Sequence, residues 1–175
     1  MSAGRASRKE WGWHPLTDEW ADRIVDQAEV SPGELVLDLG AGTGALTAPL
    51  LARGARVVAV ELHPGRVASL RARFGSDIVV VRADLASLRL PRHPFRVVAN
   101  PPFVGAAQLL ARLLSSDRLV AADVVVPRAV ARRLVATPRG RHARLYSLTE
   151  GMPLPRVAFR PPPKVDARVL RVRRR

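Results

Sequence analysis

Apolar and polar positions alternate along this chain in two periods. Five short apolar runs, Leu35–Leu39, Arg56–Val60, Ile78–Val81, Phe95–Ala99 and Val120–Val126, read as buried strands of a parallel sheet. Between them the apolar spacing turns helical. One helix is expected from about Thr17, with Trp20, Ile24 and Val25 on one side and Asp18 and Glu19 in its first turn. Others are expected over Ala45–Arg53, from Pro64 to a stop at Gly75, around Ala106, Leu109, Leu110, Leu113 and Leu114, and from Pro127 to about Ala136. Alternating strands and helices predict an α/β fold, Rossmann-like, with helices on both faces of the sheet. The last third changes character. Thr137–Arg144 predicts a loop. Pro155–Phe159 and Asp166–Val172, flanking Arg160-Pro161-Pro162-Pro163-Lys164, predict a terminal β-hairpin on the sheet edge, bringing the sheet to seven strands. Residues 1–10 read as a mobile basic arm, and residues 11–175 as one domain.

Composition narrows the function classes. A chain of 175 residues is long enough to bury one core. With no cysteine, disulfides, zinc–thiolate sites and thiolate nucleophiles are excluded. The most apolar run, Leu119–Ala136, is interrupted by Asp123, Arg128, Arg132 and Arg133 and does not read as a membrane span. The basic N-terminus has no apolar core of a signal peptide, so the expectation is a cytoplasmic protein. The formal net charge is +14, and all its cations but Lys9 and Lys164 are arginine. Such an excess points to a polyanion partner, bound through phosphate contacts and counterion release.

The candidate chemistry sits where strands end. Leu35–Leu39 runs into Gly40-Ala41-Gly42-Thr43-Gly44, a turn that allows close backbone approach. Its spacing is G-x-G-x-G, unlike the dinucleotide fingerprint. Asp38, two residues before the first glycine, suits a cationic amino group, and so the methionyl end of S-adenosylmethionine better than a pyrophosphate. Glu61 suits ribose hydroxyls, and Asp84 an adenine amino group. After Phe95–Ala99 comes Asn100-Pro101-Pro102-Phe103, the most specific signal. An exocyclic amine on an aromatic ring is a poor nucleophile. The Asn100 side-chain oxygen and the Pro101 carbonyl suit its two hydrogens, two prolines stiffen the turn, and Phe103 suits stacking on the base. No metal and no general base is required. A paired base has to be flipped out to reach such a site.

These motifs, with Phe159-Arg160-Pro161-Pro162-Pro163-Lys164-Val165-Asp166, resemble those of the ribosomal RNA adenine-N6 methyltransferases. That family comprises the erythromycin-resistance (Erm) enzymes and the small-subunit dimethyladenosine transferases. The resemblance runs from about Trp11 to Val172. It implies a catalytic domain that uses S-adenosylmethionine, with Asn100, Pro101 and Phe103 catalytic. Cofactor contacts are implied for His14, Leu16, Asp38, Gly40, Gly42, Gly44, Glu61, Asp84 and Asn100. Gly12-Trp13-His14-Pro15-Leu16 and the single short domain favour the Erm branch. This implies 23S ribosomal RNA, free or in an assembling large subunit, and macrolide, lincosamide and streptogramin B resistance. Two features depart from the family. Trp13 and His14 stand where Gln and Asn usually help close over the cofactor, and the usual helical C-terminal domain is missing. RNA contact is therefore expected from Arg128, Arg132, Arg133, Arg139, Arg141, Arg144 and Lys164, in a monomer. The competing readings are an adenine-N6 methyltransferase of another RNA or of DNA, a protein-glutamine methyltransferase, and a non-catalytic RNA-binding relative.

Overall fold

The computed structural model describes residues 13–137 and 140–175, with only the backbone at 140 and 141. The expected arm at residues 1–10 lies outside the described residues. In chain order the elements are α1 (Asp18–Ala28), β1 (Leu35–Leu39), α2 (Thr47–Ala52), β2 (Arg56–Glu61), α3 (Pro64–Phe74), β3 (Val79–Arg82) and β4 (Phe95–Ala99). They continue with α4 (Ala106–Leu114), β5 (Leu119–Pro127), α5 (Arg128–Ala136), α6 (Gly140–Leu145), β6 (Tyr146–Leu154) and β7 (Ala167–Arg174).

The seven strands form one sheet in the order β3-β2-β1-β4-β5-β7-β6. The first five are parallel, and β7 runs antiparallel to both β5 and β6. From β1 the chain builds outward to β2 and β3, then returns to place β4 on the other side of β1. That reversal opens a crevice at the carboxyl ends of β1 and β4, the usual ligand position in such sheets.

Alternation along the strands supplies a core on each face. Val36 points to one core with Ile24, Val25, Leu50, Leu70 and Phe74 from α1, α2 and α3. Leu37 and Leu39 point to the other with Leu110, Leu113 and Ala131 from α4 and α5. Helix α2 tolerates Pro49 at its third position, where the missing N–H has no intrahelical acceptor.

Two expectations fail in the last third. The first hairpin arm is Tyr146–Leu154, not Pro155–Phe159, which instead contains a 3-10 turn at Arg156–Ala158. Gly151 and Pro153 disguise the strand. They sit at a register shift between Glu150 and Pro153, on the outermost strand, where a proline costs no ladder hydrogen bond. The expected loop Thr137–Arg144 contains most of α6, whose Leu145 packs against the core around Tyr146. The hairpin does lie at the sheet edge, but its second arm, β7, is interior.

Before α1, residues Trp13–Thr17 form a strap against the loop between β6 and β7. Leu16 pairs with Phe159, the Thr17 N–H donates to Ala158 O at 2.9 Å, and the Arg160 N–H donates to Pro15 O at 2.9 Å. Leu110 is fully buried between α4 and the sheet. Leu110→Ala is expected to lower unfolding stability by about 2–5 kcal/mol, read as a reduced midpoint in urea with an unchanged slope.

Candidate active site

Asp38 is the penultimate residue of β1 and is almost entirely buried, 1% exposed. Its Oδ2 accepts a hydrogen bond from Thr47 Oγ1 at 2.7 Å. Its Oδ1 is buried with no partner among the described residues. Burial pushes the carboxyl up to about 7; the Thr47 hydrogen bond opposes this and the nearby Glu61 charge adds to it. A buried acceptor left open in this way is costly unless a ligand donor meets it.

Glu61, at the end of β2, is also buried, and its oxygens are held by backbone. Oε2 accepts from Gly42 N at 2.9 Å, and Oε1 accepts from Leu62 N at 3.0 Å and His63 N at 2.9 Å. The Arg66 guanidinium lies 3.7 Å from Oε1. Arg66 is nearly buried, and this burial lowers its pKa while Glu61 opposes the shift. Asp84 is exposed beyond β3, and its Oδ1 accepts from Ala86 N at 2.9 Å.

The glycine turn meets the Asn-Pro-Pro turn directly. Gly40 has φ 78°, and a Cβ there would stand 3.2 Å from Pro101 Cα and 3.3 Å from Pro102 Cδ. Only glycine allows that approach. Asn100 is half-buried at the end of β4, and its Nδ2 donates to the His14 carbonyl at 2.8 Å. With the nitrogen end of the amide so engaged, Oδ1 is the end left to accept from a ligand. Phe103 is half-buried, its ring 5.9 Å from that of His14 and 6.3 Å, edge-on, from that of Phe159.

Two cavities share this crevice. One of about 400 Å3 includes Gly40, Glu61, Leu62, Asp84, Leu85 and Pro101 in its wall. A second, of about 20 Å3, is lined by Leu16, Asp38, Gly40, Gly42, Leu46 and Asn100 among others. The structure thus gathers Leu16, Asp38, Gly40, Gly42, Glu61, Asp84, Asn100 and Pro101 around one crevice. Three expected site residues stand elsewhere. A Cβ on Gly44 would meet Phe74 Cε2 at 2.5 Å, so Gly44 serves the packing of α3. The His14 ring is turned from the cavities, with Nδ1 hydrogen-bonded to Pro161 O at 3.1 Å. Phe103 lines neither cavity and stands beside them on the Asn-Pro-Pro turn. Of the expected RNA contacts, Arg128, Arg132, Arg133, Arg144 and Lys164 are exposed, Arg139 lies outside the described residues, and Arg141 is described by its backbone alone.

Sequence reasoning missed Thr47, Arg66 and the position of Trp13. Trp13 lines both cavities, and Arg66 stacks over its ring at 3.9 Å. A hydroxyl one helical turn past a glycine turn was a readable signal for Thr47. The Trp13–Arg66 stack had none, because it joins distant parts of the chain.

The residues present fit S-adenosylmethionine. The orphaned Asp38 Oδ1 could accept from an ammonium group, Glu61 could accept from ribose hydroxyls, and the larger cavity, with Asp84 in its wall, has the volume for an adenine.

Comparison with known proteins agrees with this geometry. Residues 4–175 match the family described as ribosomal RNA adenine dimethylase. The chain is 36% identical to ribosomal RNA small subunit methyltransferase A of Thermosynechococcus vestitus, over 95% of this chain and 69% of that one. It is 37% identical to the protein of the same name from Gloeobacter violaceus, over 94% and 66%. It spans about two thirds of the length of these relatives. Among solved structures, the 23S rRNA methyltransferase ErmE superposes with a TM-score of 0.83 at 30% identity, covering 91% of this chain and 69% of that one. A dimethyladenosine transferase from Plasmodium falciparum superposes at 0.81 and 24% identity, covering 93% and 64%, a likeness of fold. The fold is the Rossmann-like one of S-adenosylmethionine-dependent methyltransferases. No helix among the described residues is long and apolar enough to cross a membrane.

The raised Asp38 pKa has a definite sign. The folded state holds this proton more tightly than the unfolded chain, so the associated stability is complete below about pH 4 and lost as pH rises through about 7. Asp38→Asn is expected to melt above the wild type at pH 8 and to match it more closely at pH 5. The same variant is expected to bind S-adenosylhomocysteine about tenfold to a hundredfold more weakly at pH 8, the scale of one charged hydrogen bond. Wild-type affinity should rise with pH through about 7. Thermal melts and calorimetry across this range check all three outcomes.

Proposed function

Because the chain belongs to the ribosomal RNA adenine dimethylase family, we propose that it transfers methyl groups to the N6 amine of an adenine in ribosomal RNA. S-adenosylmethionine is its donor and supplies, when bound, an electrophilic methyl on a sulfonium. The observation that carries this reading is the Asn100 amide, fixed through Nδ2 to the His14 carbonyl beside Asp38 and Gly40.

Each residue has a task that follows from its position. Asp38 Oδ1 receives the donor's ammonium, Glu61 its ribose, and Asp84 its adenine, with Gly40, Gly42 and Leu16 forming walls. Asn100 Oδ1 and the Pro101 carbonyl accept the two N6 hydrogens of the target. This localises the nitrogen lone pair that is otherwise spread into the purine ring. Consecutive prolines hold both acceptors in place before the substrate arrives, so little reorganisation is needed at the reaction. Phe103, steadied by His14 and Phe159, presents a π face to the developing positive charge on the base. After transfer the N6 proton is acidic and leaves to solvent. Arg128, Arg132, Arg133, Arg144 and Lys164 contact the RNA backbone from outside the crevice.

We read the target as 23S ribosomal RNA, so that methylation protects the large subunit from macrolide, lincosamide and streptogramin B drugs. The fit to the solved 23S rRNA methyltransferase ErmE supports it. The names of the curated relatives favour a second reading, small-subunit RNA.

Asn100→Ala is expected to abolish methyl transfer to RNA while S-adenosylhomocysteine affinity changes by about tenfold at most, the scale of one neutral hydrogen bond. Single-turnover assays with labelled donor, paired with calorimetry, check this; full activity in the variant refutes the amide mechanism. Labelled methyl is expected in 23S and not 16S RNA when both subunits and their naked RNAs are offered, with the modified adenine located by primer extension. Label in 16S RNA alone selects the second reading.

A further inference from the structure

Trp13 and Gly40 line both cavities of the crevice, and of the two only Trp13 carries a side chain. The larger has the volume for a nucleoside. The smaller, beside Asp38 and Asn100, has room for about one water molecule. A methionyl arm that starts in the first and reaches Asp38 in the second runs past Trp13, which lines both. Its indole nitrogen presses on the glycine turn, 2.8 Å from where a Cβ on Gly42 would lie. The Arg66 guanidinium covers its ring at 3.9 Å, and Arg66 is itself nearly buried against Glu61. Trp13 belongs to the strap, whose next residues are anchored at Pro15, Leu16 and Thr17. A swing of Trp13 therefore leaves the His14 carbonyl free to stay on Asn100.

We propose that Trp13, clamped by Arg66, is a selectivity gate inside the cofactor crevice. The closed gate admits a nucleoside and shuts out an aminoacyl arm. A ligand that carries an ammonium group for the open Asp38 oxygen binds only to the fraction of molecules in which Trp13 has left the passage. The measured affinity of such a ligand is lowered by that fraction, whereas the affinity of a ligand without the arm is not. Loosening the gate removes this penalty for one ligand class alone. The stack supplies the closing force, since a partly desolvated guanidinium over an indole is a favourable contact.

This inference rests on the S-adenosylmethionine reading, and the test separates the two. The full chain is titrated by calorimetry with S-adenosylhomocysteine and with 5′-methylthioadenosine, which share a thioether nucleoside and differ in the aminoacyl arm. The readout is the ratio of their dissociation constants, which cancels any effect on the ribose and adenine contacts. In Trp13→Ala this ratio is expected to shift about fivefold or more in favour of S-adenosylhomocysteine, the scale of one such stack. Arg66→Met keeps the indole, removes the clamp, and carries the same expectation should Trp13→Ala fail to fold. Stopped-flow association should be slower for S-adenosylhomocysteine than for 5′-methylthioadenosine in the wild type and equal in the variants. An unchanged ratio, or one shifted against S-adenosylhomocysteine, overturns the gate. Absence of S-adenosylhomocysteine binding in the wild type and both variants overturns the donor reading itself.

Discussion

The hydrogen bond from Asn100 Nδ2 to the His14 carbonyl joins two parts of the chain that are far apart in the sequence. It ties the end of β4 to the strap, and the strap is tied in turn to the loop before β7. A backbone carbonyl can only accept, so the bond decides which end of the amide faces the crevice. A side chain whose two ends look alike is thereby turned into a one-sided acceptor. The strap thus orients the Asn100 amide through its backbone, apart from the cavity walls it supplies through Trp13 and Leu16. Its hold on the loop through Leu16, Thr17 and Arg160 is what keeps that carbonyl in place.

A second constraint opposes the first in energy. Asp38 is a carboxyl in a dry place with one oxygen unmet, and Thr47 satisfies only the other. The fold carries that strain as a raised pKa, which a cationic ligand would relieve. The site is thus destabilising to the protein and favourable to the complex, as is common where binding residues are held ready in advance. Glu61 differs because four neighbours already surround it.

What the sequence disclosed and what it hid divide along the range of the interactions. The five parallel strands, the glycine turn and the Asn-Pro-Pro turn were legible because each is local: an apolar run, then a residue type that ends it. The gathering of Asp38, Glu61 and Asp84 was legible because parallel strands bring their carboxyl ends to one edge. Strand β6 was hidden because Gly151 and Pro153 imitate a turn while serving a bulge on the outer strand. Gly44 looked like its neighbours in the turn, but its close contact is Phe74 in α3. His14 was placed near the cofactor by its position in a motif. In the fold its ring serves Phe103 and Pro161, and its carbonyl serves Asn100. Such assignments depend on which distant residue arrives opposite, and no local pattern encodes that.

The strand order has a consequence for how the chain is made. Strand β7 is last of the seven in sequence, yet it lies between β5 and β6. As the polypeptide leaves the ribosome, β5 therefore presents an open edge, and β6 has no neighbour, until β7 emerges to zip both. A nascent chain paused before Ala167 exposes a long apolar edge to any passing strand, the kind of species chaperones retain. The crevice half nearest β1 and β2 can form early, whereas the loop that anchors the strap is secured only by the strand that follows it. Assembly of the Asn-Pro-Pro turn is thus coupled to the emergence of β7, and a chain translated only as far as β6 has the carboxylates of the crevice before it has a correctly turned amide.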